Sequence, residues 1–232
     1  MAFQTHEALV ARPSAQDLRT GALGALVVSA GYVLLPTFRS VVMAILGEED
    51  TAPYPRPADI SQHEWWGVSG AVIFALIGVG VLLTVVATVD TTSPWGRAGT
   101  ALGMIGTGGY FLSGAGSLGM YSFVAANLVH TGADEGAQVA ALWAVNIATG
   151  AALTVAACCT AAWLVWLGVT GPRRGIIGRL TGILLIVLAM LIIGGFTFSF
   201  LPVQFAFIPA FVLLGIALWR RRRPMRQTSA DE

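Results

Sequence analysis

Three histidines, two cysteines and twelve carboxylates are all that 232 residues offer for metal or acid–base chemistry. His63 and Glu64 are adjacent, and His130 is followed closely by Asp134 and Glu135. Imidazole and carboxylate suit zinc or another divalent ion, so these five residues are the candidate metal ligands. Their spacing matches no established motif, such as His-x-x-x-His on one helical face, and histidines beside acids at a membrane edge are ordinarily solvated. Haem held by two histidines within a membrane is disfavoured, because no histidine falls inside an apolar run. No cofactor is therefore expected, with a divalent metal on these five residues as the alternative.

Two other side chains draw notice because they lie in or beside apolar runs. Arg39 would cost at least ~2.5 kcal/mol at a bilayer centre. It either snorkels to headgroups, if the helix ends at Phe38, or faces the bundle interior paired with an acid such as Glu64, if the helix continues to Leu46. Pro36 favours a kink or an early end. Asn146 carries an amide that needs a partner in hydrocarbon, supplied by a neighbouring helix at roughly 0.6–2 kcal/mol or by a bound substrate. Cys158 and Cys159 read as small apolar filling rather than a disulfide framework. No Walker A loop, Gly-x-Ser-x-Gly elbow, His-Glu-x-x-His or Cys-x-x-Cys occurs.

What must position these residues follows from composition. With 56% hydrophobic and 11% charged residues and a mean hydropathy of +0.75, the chain has less than half the ~25% charge usual in soluble domains. A water-soluble globule is excluded. Six apolar stretches, each near the roughly 20 residues that cross ~30 Å of hydrocarbon, leave only short connections. They are expected over about 20–38 (extended by 40–46), 65–89, 98–124, 139–167, 176 or 180–198, and 203–219. Residues 1–19 form a lead-in with no apolar segment of a cleaved signal, 20–219 the six-helix unit, and 220–232 a basic tail. Ser14 and Asp17, after Pro13, form a capping box for the first helix. Eight glycines in the third stretch let helix backbones approach closely.

All thirteen basic residues are arginine. Arg12, Arg19, Arg97, Arg173, Arg174, Arg179, Arg220 to Arg223 and Arg226 fall on the side of the termini, against Arg39 and Arg56 on the other. Cationic loops stay cytoplasmic, so both termini are expected there. A weak repeat is also present. Arg19, Gly21, Gly31, Tyr32 and Trp65 recur as Arg97, Gly99, Gly109, Tyr110 and Trp143, each 78 positions on. A duplicated two-helix hairpin, both copies in one orientation, would produce this.

The expected object is an all-α, six-span bundle of a bacterial inner (cytoplasmic) membrane. Ionisable residues are missing from the middle of spans two to six, which counts against a proton- or sodium-driven transporter. The function expected is a non-enzymatic binding, accessory or scaffold bundle whose partners are the lipid bilayer and other membrane proteins, with no nucleic acid. One alternative is a transporter of small solutes or amphiphiles lined by Arg39 and Asn146. Another is a membrane enzyme or metal-site protein built on His63, Glu64, His130, Asp134 and Glu135.

Overall fold

The computed structural model describes residues 13–46, 64–120, 134–197 and 201–221, with isolated positions 127, 130 and 132 between them. These residues form six α-helices: α1 Ala15–Leu46, α2 Glu64–Thr88, α3 Pro94–Leu118, α4 Glu135–Thr170, α5 Arg179–Thr197 and α6 Phe207–Arg221, the last preceded by a 3-10 turn Leu201–Ala206. Five segments, drawn from every helix but α3, are long and apolar enough to cross a membrane. The chain is thus an all-helical, multi-pass membrane protein. α3 falls short of that hydropathy because glycine, serine and threonine dilute its apolar residues, although its 25 residues span about 37 Å.

α1 starts where its capping box dictates. The Ser14 amide donates to Asp17 Oδ2 at 2.9 Å, and the Asp17 amide donates to Ser14 Oγ at 3.1 Å, so two otherwise orphaned donors are satisfied. The helix then runs through Pro36 to Leu46, taking in the 40–46 extension of the expected span 20–38. The ring removes a single backbone bond, and the apolar residues after Ser40 still gain by remaining helical. Arg39 therefore lies within α1. α3 begins equally locally: Ser93 Oγ accepts from the Gly96 amide at 2.9 Å, with Pro94 at the first helical position.

Each helix packs against its sequence neighbours, and α6 returns to α1, closing a ring. Glycines set the close approaches. Gly21 and Gly31 of α1 lie against Ala87 and Ile77 of α2, and Gly99 and Gly109 of α3 lie against Trp166 and Ala156 of α4. The glycines 78 apart thus make like contacts, but the residues they meet are not in the register of Trp65 and Trp143. Positions 78 apart on the first helix of each pair meet positions 79 apart on the second. α5 and α6 stand between α4 and α1, where a two-fold arrangement of the two pairs would otherwise close on itself.

Aromatic side chains pack into the middle of the ring. Tyr32, Tyr110, Trp163, Phe207 and Phe211, from α1, α3, α4 and α6, are each less than 2% exposed. Leu112, Leu180, Ile183 and Ile147 are more than half exposed on the outside, as expected of a bundle whose surroundings are as apolar as its core.

Candidate functional site

Tyr32 and Tyr110 follow the glycines that draw α1 onto α2 and α3 onto α4, so their rings enter the centre from two directions. Their hydroxyls are 2.5 Å apart and their rings meet edge-on, with centroids 6.3 Å apart. Tyr32 stacks on Phe207 at 5.0 Å, Phe207 touches Phe211 at 6.0 Å, and Phe211 stacks on Trp163 at 6.4 Å. Such ring pairs add about 0.5–1.5 kcal/mol each beyond area burial. Phenols keep their protons at neutral pH, so this centre offers hydrogen bonding and close packing and no charged base.

Beside it lies a polar row on α4. Thr84, Thr88, Thr107, Thr149, Thr154, Thr170 and Thr197 each donate to the carbonyl four residues back. Thr160 is buried without doing so, and its hydroxyl lies against Gly106 of α3, where the absent side chain leaves it room. The indole N–H groups of Trp163 and Trp166 continue the row at three-residue steps, likewise buried without a partner among the described residues.

At the arginine-rich end a second constellation ties two connections together. Arg174 donates to the carbonyls of Thr88 (2.9 Å) and Val89 (2.8 Å), which end α2. It also lies 3.9 Å from Asp90 Oδ2 and over the Trp166 ring at 5.9 Å. A cation there satisfies helix-end carbonyls that have no partner within the helix. Asp90 also accepts from the amide (3.0 Å) and hydroxyl (2.7 Å) of Thr92. Burial alone would raise the Asp90 carboxyl, but the two Thr92 bonds and the Arg174 charge outweigh it and hold it below its ordinary value.

No family model, curated protein or solved structure matches the chain. The reading of the site therefore rests on its own geometry.

The residues singled out in sequence are placed as follows. His63 lies outside the described residues, and Glu64 and Glu135 lie in helices with side chains outside the description. His130 is exposed. Asp134 caps α4, its Oδ1 accepting from the Ala137 amide at 2.9 Å. Among the described residues no three His, Cys, Asp or Glu side chains are grouped to hold a metal. Asn146 is exposed on α4, and Arg39 is a helical position in α1 whose side chain is outside the description. Cys158 and Cys159 are free thiols, half-buried. The structure does not bring Asn146 onto a neighbouring helix.

Sequence reasoning missed the link from Arg174 to Asp90 and the unusual Thr160. A lone acid at the end of a span facing an arginine-rich turn was a usable signal for the first. Nothing in sequence separates Thr160 from the other helical threonines. The tyrosines were visible as a repeated pair, but not as a contact.

Proposed function

We propose that all six helices cross the cytoplasmic membrane of a bacterium with both termini inside, and that the bundle is a non-enzymatic scaffold binding lipid or other membrane proteins. What supports α3 as the sixth span is its position. Val85 of α2 and Trp163 of α4 both lie against Gly103, and Gly70 of α2 lies against Ser117, so α3 runs alongside two apolar helices. The arginine distribution supports the orientation.

The observation that carries the scaffold reading is the filled centre. A transporter of polar solutes needs a path to mid-membrane, usually marked by ionisable groups, and here five buried aromatic side chains occupy that level. Asn146 does not supply a lining either. Counted from Thr170 at the arginine-rich end, about 20 residues of α4 cover ~30 Å and reach Gly150. Asn146 then stands about 6 Å beyond, among headgroups, where an exposed amide costs little.

Cysteine accessibility tests this. In a Cys158→Ser/Cys159→Ser background, Thr160→Cys places one near-isosteric thiol at the centre. A membrane-impermeant maleimide applied from either side should leave it unlabelled. Labelling from one side or the other would mean a water path and would replace the scaffold reading with the transporter.

A further inference from the structure

Among the described residues, six arginines are exposed at one end of the bundle: Arg19, Arg97, Arg173, Arg179, Arg220 and Arg221. Two of these already have local contacts, Arg19 over the Trp219 ring at 5.8 Å and Arg97 donating to the Thr91 carbonyl at 3.3 Å. Arg173 and Arg179 flank the turn between α4 and α5. That turn folds back on itself, with the amides of Ile176 and Ile177 donating to the Gly171 carbonyl at 2.9 and 3.4 Å and Gly175 at a φ of 70°. Neither arginine meets a carboxylate among the described residues. Asp90 is engaged by Arg174 and Thr92, and Asp17 by Ser14.

Directly beyond the turn, the outward side of α5 is bare. Leu180, Ile183, Val187, Met190 and Leu191 are each more than half exposed. They recur at steps of three, four, three and one, which makes a single apolar stripe about 16 Å long. Two exposed arginines at the turn that opens an apolar stripe suit a phosphate followed by an acyl chain. The planar guanidinium fork engages phosphate oxygens in pairs.

We infer that the α4–α5 turn and the outward face of α5 form a seat for one anionic phospholipid, held by Arg173 and Arg179 at its head and by the α5 stripe along its chain. The inference deepens the scaffold reading and rests on the bundle being embedded in lipid. Each arginine near an anionic lipid surface favours such a lipid by roughly five-fold.

Native mass spectrometry of the full chain, released from nanodiscs containing phosphatidylglycerol and phosphatidylcholine in equal parts, tests the seat. The wild type should retain one phosphatidylglycerol. Arg173→Gln with Arg179→Gln should lower that occupancy by at least about ten-fold, while Arg220→Gln with Arg221→Gln, equal in charge removed, should keep it. Equal retention of the two lipids overturns the proposal, as does indifference to the Arg173/Arg179 pair or an equal loss in the Arg220/Arg221 pair. A disulfide-linked dimer through Ile183→Cys, in the cysteine-free background, would put a second protein on the stripe and also overturn it. The Thr160→Cys labelling is read separately: unlabelled protein without lipid preference keeps the scaffold and loses the seat, whereas labelled protein loses the scaffold whatever the lipid count.

Discussion

The hydroxyls of Tyr32 and Tyr110 meet at 2.5 Å, and the 78 positions between them are the offset that relates Gly21 and Gly31 of α1 to Gly99 and Gly109 of α3. The contact therefore marks where α1 and α3 reach each other across the centre. Its energetics are testable by a double-mutant cycle. Tyr110→Phe alone strands the Tyr32 hydroxyl and should cost about 1–3 kcal/mol of stability in detergent, whereas after Tyr32→Phe the Tyr110 hydroxyl keeps Thr160 beside it and the loss should be smaller. The double substitution should cost less than the two singles combined. Additive losses would show that the hydroxyls do not depend on each other.

Glycine substitutions should separate interface from lipid-facing positions. A side chain at Gly103 would run into Val85 and one at Gly106 into Thr160, whereas Gly108 has open space. Gly103→Leu and Gly106→Leu should each destabilise by about 1–3 kcal/mol through overpacking, and Gly108→Leu should be close to neutral. Thermal unfolding in detergent reads all three, and equal losses would remove the distinction.

The Asp90 carboxyl is held below its ordinary value, so the stability it contributes is complete above about pH 4 and fades as pH falls through the lowered folded value. Asp90→Asn should lower the melting temperature at neutral pH by an amount worth roughly 1 kcal/mol. The gap between variant and wild type should narrow below about pH 4. A gap constant with pH would assign the effect to shape rather than charge. Arg174→Ala, which also strips two carbonyls of their donor, should cost about 2 kcal/mol.

Topology is open to reporter fusions. A reporter after Glu232 should be active on the cytoplasmic side, and one inserted between residues 50 and 60 on the opposite side. A C-terminus found outside would overturn the span assignment.

Helices were legible in sequence because apolar length and glycine or proline punctuation suffice to mark them; the capping box at Ser14 and Asp17 even fixed a boundary to within a residue. The extension of α1 over 40–46 was legible from its apolar residues, but whether the helix passes Pro36 unbroken was not, because proline is a stop signal in water and only a dent in an apolar setting. The exposure of Asn146 was not legible, because the apolar run of α4, at 36 residues, is longer than a membrane is thick and carries no local mark of which residues meet a neighbouring helix. Contacts between distant residues, such as Arg174 with Asp90, carry no local pattern. They depend on which turns share an end of the bundle.

Arg174 finally implies an order of assembly. The carbonyls that end α2 are satisfied by a side chain 85 and 86 positions later. During synthesis α2 and α3 are therefore inserted with that terminus still open to water, and it is completed only when the far end of α4 emerges. A nascent chain stopped just before residue 174 already holds α1 to α4 in full, yet leaves the α2 terminus unsealed. The second helix is thus completed by the α4–α5 turn, before α6 returns to α1 and closes the ring.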